Sequence, residues 1–194
     1  MKIQSSQSYD NETFRNVELS ASSLNDIEFF DCTFEDCDFS ESTLLSCKFD
    51  SCTFKNCNFS NSKLTDSSFV DPEFSNSRMI GIDWSLINST MSVELNFSGC
   101  DLSYCTFLEM DVSGSTFENC KIIDANFSNM IMKTCNFSNS NLRETIFSSC
   151  DLSKADFRGA TNYMIDLKLN SVSKAKFSHP EVLMLLQQFG IEVE

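Results

Sequence analysis

The stretch from Phe29 to Phe59, FFDCTFEDCDFSESTLLSCKFDSCTFKNCNF, places a large apolar residue at almost every fifth position. The same spacing runs from Phe14 to Trp84, resumes from Phe97 to Phe157, and continues more weakly to Phe177. The residue two positions before each large one is mostly small, and most often Cys or Ser. Seventeen of the nineteen phenylalanines occupy the large position and all ten cysteines the small one, so the two positions belong to one repeat.

A period of five residues excludes the two common regular structures, because an α-helix repeats at 3.6 residues and a simple strand at 2. A chain that turns a corner every five residues satisfies it. Four such sides close one coil of 20 residues, with the large and the small positions both pointing inward. Stacked coils then bury a ladder of aromatic rings, and each buried Phe contributes about 1.5–3 kcal/mol.

Two segments show the repeat in its most regular form, Asp36–Ser40 (DCDFS) and Asn56–Ser60 (NCNFS). They resemble the A(D/N)LXX motif of the pentapeptide-repeat family, with Cys in place of the usual Ala, a conservative change in size. The resemblance covers residues 12–179 and implies an all-β fold, a right-handed quadrilateral β-helix. We therefore divide the chain into an N-terminal segment (1–11), the β-helix (12–179), and a C-terminal helix and tail (180–194).

The repeat is interrupted once. Trp84 and Phe97 are thirteen residues apart, which is not a multiple of five, so residues 85–94 must leave the regular coil as a bulge or short loop. This stretch carries Leu86, Ile87, Met91 and Val93, which indicates packing against the solenoid. We favour a structural offset between two solenoid segments, with a binding loop as the alternative.

The C-terminus changes character after the last repeat. Ser178-His179-Pro180-Glu181 fits a capping box with Pro in the first helical turn and predicts a helix that ends near Gly190. A helix here would cover the open end of the solenoid, as repeat proteins require. Its main apolar face would contain Val182, Leu185, Leu186 and Phe189, whereas Leu183 and Met184 lie off that face and leave apolar surface for another subunit.

The tail also carries a narrower resemblance. The run from Phe177 to Ile191 looks like the C-terminal helix of the Qnr quinolone-resistance proteins and of immunity proteins against microcin and albicidin, and Asn162–Asp166 is similar to the albicidin-resistance branch. The resemblance implies a tail-to-tail homodimer and protection of DNA gyrase by a DNA mimic. The candidate dimer interface consists of Leu183, Leu186, Phe189 and Ile191.

Charge is concentrated near the N-terminus. The chain has a net charge of −14, and residues 10–41 contain ten acids against one base, Arg15. Such acidity disfavours binding to nucleic acid and to anionic membranes, and the sequence shows neither a secretory signal nor a membrane span, so we expect a cytoplasmic protein. The candidate acidic interaction surface consists of Asp26, Asp31, Asp36 and Glu41, which take the same outward site in four successive pentapeptides and should encircle one coil.

The density of charge along the rod limits the DNA-mimic interpretation. About eight coils at roughly 4.8 Å each form a rod ~40 Å long. Its whole charge amounts to about one per 3 Å, against roughly one per 1.7 Å for duplex DNA. Only the N-terminal part reaches that density. Residues that are twenty apart should also pair across coils, which predicts a ladder of Arg15, Glu35 and Lys55 and a contact between Lys63 and Asp83.

No motif supports catalysis. Cysteines spaced by five do not match zinc sites, which use pairs two to four residues apart, and buried free Cys behaves as a small hydrophobe. His179 is the only histidine, and the five glycines form no phosphate loop. We expect no enzyme activity, metal or cofactor. The function we favour is engagement of a type II topoisomerase, gyrase or topoisomerase IV; the alternative is a scaffold or protein-binding module with another partner.

Overall fold

The structure is a computed structural model that describes residues 3–88 and 92–191. It is a right-handed quadrilateral β-helix of about 8 turns, closed at the C-terminal end by one short helix. This confirms the fold class that the five-residue period and the resemblance to pentapeptide repeats together predict. The sides of the coil are strands of two or three residues or isolated bridges, and each side pairs in parallel with the side one coil away.

The regular elements are short and nearly all β. Two 3-10 turns (Trp84–Leu86 and Glu181–Leu183) and helix α1 (Met184–Gln187) accompany the strands. The strands are β1 (Ser8–Asp10), β2 (Thr13–Arg15), β3 (Ser23–Asn25), β4 (Glu28–Phe30), β5 (Thr33–Glu35), β6 (Thr43–Leu45), β7 (Lys48–Asp50), β8 (Thr53–Lys55), β9 (Ser68–Val70), β10 (Glu73–Ser75), β11 (Asn96–Ser98), β12 (Thr106–Leu108), β13 (Thr116–Glu118), β14 (Asn126–Ser128), β15 (Ile146–Ser148), β16 (Asp156–Phe157) and β17 (Lys176–Phe177).

One face of the rod carries an uninterrupted column of phenylalanines in its core. Consecutive ring centroids in the column are 4.7–5.5 Å apart, and most of the pairs are stacked. Aromatic pairs of this kind add about 0.5–1.5 kcal/mol beyond the burial of their area. The members are Phe14, Phe34, Phe54, Phe74, Phe97, Phe117, Phe137, Phe157 and Phe177.

The small inward position does more than fit a small side chain. Ser140 illustrates its role, because the hydroxyl accepts from the Cys120 amide at 2.8 Å and donates to the Phe117 carbonyl at 2.6 Å. A thiol at the small position makes the equivalent bond: the Cys120 Sγ donates to the carbonyl of Phe97, which lies 23 residues earlier. Replacement of Ala by Cys and Ser is therefore a change in hydrogen bonding between coils as well as in size.

Each corner of the coil requires a left-handed residue. Every fifth residue from Ser6 to Gly81 has a φ between 45° and 72°, and the pattern resumes at Gly99. Side chains other than Gly, Asn and Asp adopt this region at a cost. The preference explains why Asn, Asp and Gly recur at these sites in the sequence.

The interruption of the repeat is an insertion of three residues. Coils before it pair residues that are 20 apart, whereas Phe74 pairs with Phe97 and Asp83 with Thr106, both 23 apart; the spacing then returns to 20. Within the predicted break of 85–94, Ile87, Val93 and Leu95 beside it are buried and Leu86 is exposed. Residues 89–91, which include Met91, lie outside the described residues.

The coil begins earlier than the predicted boundary at residue 12. Strand β1 pairs with β4, and Tyr9 stacks on Phe29 with ring centroids 5.3 Å apart. Ile3 is also part of the core. Most of the segment assigned to 1–11 therefore belongs to the solenoid, although its large positions are less regular than the phenylalanines that follow; Met1 and Lys2 lie outside the described residues.

The C-terminal helix is shorter than the sequence indicates. One 3-10 turn and the four residues of α1 replace the predicted helix. The capping box is wrong, because no side chain caps this turn and the Ser178 hydroxyl accepts from the Gly159 amide at 2.9 Å instead. Leu185 is buried, and Val182 packs against the core. The last three residues of the predicted tail, 192–194, lie outside the described residues.

Candidate interaction surfaces

The four acidic candidates occupy four successive corners of the N-terminal coils. Asp26, Asp31, Asp36 and Glu41 are exposed and have φ values of 54°, 51°, 54° and 56°. Each corner amide donates to a carbonyl of the next coil, as Asp26 does to Leu45 at 3.0 Å. The backbone is therefore fixed, and the carboxylates project from a rigid frame.

These carboxylates lack cationic partners. Within the described residues, no Lys or Arg forms an ion pair with any of the four, and Asp36 accepts only a hydrogen bond from the Asn56 side chain at 3.2 Å. Sequence reasoning did not reveal one structural reason for acids at these sites, which is the left-handed conformation of the corner. Asp at a corner is partly a backbone requirement, but Glu41 is not favoured there.

The predicted charge ladders form only in part. Arg15 Nε lies 2.6 Å from Glu35 Oε2, and this hydrogen bond holds the pKa of Glu35 below its usual range. Lys55 stands beside Glu35 in the register of adjacent coils, as predicted, and its charge also lowers the pKa of Glu35, but it forms no ion pair within the described residues. Lys63 forms none there either, so the predicted pair with Asp83 is not formed. The single base of the N-terminal coils is thus used by Glu35, which leaves the other acids uncompensated.

The cysteines lie in the core, as predicted, and all ten are free. Burial raises the pKa of the Cys52 thiol to about 12. A thiol in this state carries little nucleophilic thiolate at neutral pH. Among the described residues, no cluster of His, Cys, Asp or Glu could hold a metal ion, and His179 is exposed beside the last coil.

The C-terminal end of the rod presents apolar surface. Of the candidate interface residues, Phe189 and Ile191 are each 48% exposed, and Leu183 and Leu186 are half-buried. Beside them, a cleft opens between the last coil and α1, lined by Met164, Ile165, Asp166, Met184, Leu185 and Gln188. Phe189 does not lie on one helical face with Val182 and Leu185, because α1 ends before it.

Two features of the outer surface were not singled out from the sequence. Tyr104, which is 62% exposed, is the one aromatic residue among the left-handed corners of the described chain. Lys154 and Lys174 occupy the same corner in adjacent coils. The signal that identifies all three is the outward corner position, where the other left-handed corners of the described chain carry small, amide or acidic residues.

Comparison with known families agrees with the geometry. The family profile described as "Pentapeptide repeat region" matches residues 8–84 and 27–115, and the profile "Pentapeptide repeats (8 copies)" matches residues 120–159. The chain therefore belongs to the pentapeptide-repeat family. A search of curated protein sequences gave no significant match.

Two solved structures share the fold across nearly the whole chain, and both are trypsin-treated variants of QnrB1, a plasmid-mediated fluoroquinolone resistance protein. The first is 17% identical with a TM-score of 0.71, and 98% of this chain and 92% of that one are covered. The second is 16% identical with a TM-score of 0.66, covering 98% and 99%. At this identity the likeness shows the fold alone. No helix among the described residues is long and apolar enough to cross a membrane.

Proposed function

We propose that this protein is a non-enzymatic interaction module that binds a type II topoisomerase at the surface that normally holds DNA. The observation that carries the proposal is the charge of the N-terminal coils, where residues 10–41 hold ten acids and one base, and that base is paired with Glu35. A surface that binds DNA is basic, so a rod with this charge is complementary to it.

Rigidity supports the same function. The phenylalanine column and the corner hydrogen bonds fix the backbone at the outward acidic residues, so little backbone freedom is lost on binding. The fold is shared with QnrB1, which is described as a fluoroquinolone resistance protein. The likeness stands beside the resemblance of residues 177–191 to the C-terminal helix of Qnr proteins, which implies DNA gyrase as the target.

The proposed assembly is a homodimer through the C-terminal end. Exposed Phe189 and Ile191, together with half-buried Leu183 and Leu186, provide the apolar surface for it. Leu186→Glu should yield monomers by analytical ultracentrifugation. A matched control is Leu45→Glu, since Leu45 is 38% exposed on the side of the rod. Dimers that persist in Leu186→Glu, or monomers of the unaltered protein, would overturn this assembly.

The corner geometry allows a clean test of the binding surface. Asn and Gln substitutions remove charge and keep the shape, and Asn is well suited to a left-handed corner. The test variant is Asp26→Asn, Asp31→Asn, Asp36→Asn and Glu41→Gln. The control variant makes the same change of four charges at exposed left-handed corners in later coils: Asp66→Asn, Glu109→Gln, Asp124→Asn and Glu144→Gln.

Binding to immobilised DNA gyrase is measured by surface plasmon resonance, with duplex DNA as a competitor. We expect the test variant to lose roughly tenfold or more in affinity, mostly through slower association, and the control to lose less. Duplex DNA should displace the unaltered protein. Equal losses in the two variants would remove the N-terminal coils as the contact, and no binding by the unaltered protein would favour a scaffold with another partner.

A further inference from the structure

The C-terminal coils carry a groove of the opposite charge to the rest of the rod. It runs along the rod axis between one corner and the neighbouring face, across three coils in succession. Every residue that lines it is polar or charged: Thr134, Asn136, Lys154, Asp156, Lys174 and Lys176. Three cations in one groove are unexpected in a chain whose net charge is −14.

The one acid of the groove is already paired. Asp156 Oδ2 lies 2.6 Å from Nη2 of Arg158, two residues along the chain, and 3.9 Å from Nζ of Lys176. The hydrogen bond from Arg158 holds the pKa of Asp156 below its usual range. Lys154 and Lys174 form no ion pair with any described residue. The groove therefore retains uncompensated positive charge.

Two features of this arrangement work against stability. Lys154 and Lys174 stand directly above one another on adjacent coils, and like charges placed opposite each other in a sheet repel. Both also adopt left-handed φ values, 63° and 58°, at sites where Asn, Asp or Gly would be less strained. Every corner of the coil shares this conformation, so the feature particular to this pair is the placement of two lysines there.

We propose that this groove binds a chain of phosphate groups. Lysine ammonium groups act as point charges for phosphate oxygens, and the side-chain amide of Asn136 supplies a further hydrogen-bond donor. The repeat of cations along the axis matches an elongated polyanion better than a single ion. No apolar or aromatic residue lines the groove to receive a base, so free polyphosphate and a nucleoside triphosphate should bind equally.

The test measures the binding of inorganic tripolyphosphate by isothermal titration calorimetry at low ionic strength. Lys154→Asn with Lys174→Asn should weaken binding roughly tenfold, because two charge contacts are lost, and should raise the melting temperature. Lys55→Asn with Lys63→Asn makes the same change of net charge outside the groove and should leave the affinity within about twofold. ATP should match tripolyphosphate, and added salt should weaken both.

Two results would overturn the proposal: no binding of tripolyphosphate by the unaltered protein, or equal losses of affinity in the groove variant and its control. ATP binding much more tightly than tripolyphosphate would place the ligand outside this groove. If the double variant proves unstable, Lys176→Gln provides the same test. Lys176 lies on strand β17 and not at a corner, so only the loss of its charge should weaken the binding of tripolyphosphate.

Discussion

Phe74 and Phe97 lie face to face with ring centroids 5.1 Å apart and an interplanar angle of 18°, although 23 residues separate them. Every other neighbouring pair in this column is 20 residues apart. The insertion of three residues is thus accommodated without interrupting the aromatic column. Continuity of that column makes the two solenoid segments one rod.

The first prediction concerns the column. Phe54 is fully buried and stacks on Phe34 and Phe74 at 4.9 and 4.7 Å. Phe54→Ala should lower the free energy of unfolding by about 3–5 kcal/mol, because it leaves a cavity between stacked rings. Denaturant melts check this. The control is Phe189→Ala, which removes a ring that is 48% exposed and should cost much less; similar losses in both would contradict the inward assignment.

A second prediction separates hydrogen bonding from size at the small position. Ser140→Ala should cost about 1–3 kcal/mol, since the Cys120 amide and the Phe117 carbonyl would be left buried without partners. Ser62 occupies the same register, but its buried hydroxyl has no partner. Ser62→Ala should be neutral or stabilising in the same denaturant melts. An equal loss at both serines would mean that volume alone decides this position.

A third prediction uses the strained corner at Tyr104, where φ is 63°. Tyr104→Asn should stabilise the fold by about 1 kcal/mol, because a left-handed conformation costs an ordinary residue roughly 1–2 kcal/mol. Gly81→Ala, one coil earlier at the same corner, should destabilise, since its φ of 72° is strained for an L side chain and its Cβ would lie 2.6 Å from Asn61 Oδ1. Thermal melts of both variants check this. A stabilised Gly81→Ala would show that these corners carry no strain.

A fourth prediction concerns alkaline pH. Burial raises the pKa of the thiols of Cys52, Cys105 and Cys135 to about 12, from an ordinary value of 9.0. A raised pKa favours the protonated folded state, so this stability is fully present below pH 9.0 and is lost as pH rises towards 12. The melting temperature should therefore fall above pH 9.0. Replacement of all three by Ala should make that fall shallower, and an unchanged slope would contradict it.

Much of the fold could be predicted from the sequence because one physical requirement repeats. Each coil must bury one large and one small residue per side, so the five-residue spacing of the phenylalanines and cysteines indicates the repeat directly. The left-handed corner was less visible, since Asp26 or Asp36 reads as surface charge until its φ is known. Corner sites such as Tyr104 and Lys154 are recognised only against that backbone requirement.

The ends of the rod were harder to predict for a related reason. There, each residue meets a neighbour on only one side, so the repeat no longer constrains it. Tyr9 replaces Phe in the first coil, and Ser178 bonds to Gly159 instead of capping a helix. Contacts between distant residues decide both cases, and local sequence patterns do not contain them.

The central claim, engagement of a type II topoisomerase by the acidic N-terminal coils, is tested most directly by a supercoiling assay. Purified DNA gyrase is titrated with this protein, with and without ciprofloxacin. We expect inhibition of supercoiling or protection against ciprofloxacin by the unaltered protein, and loss of either effect in the variant that neutralises Asp26, Asp31, Asp36 and Glu41. Supercoiling and drug inhibition that are both indifferent to added protein would contradict the claim.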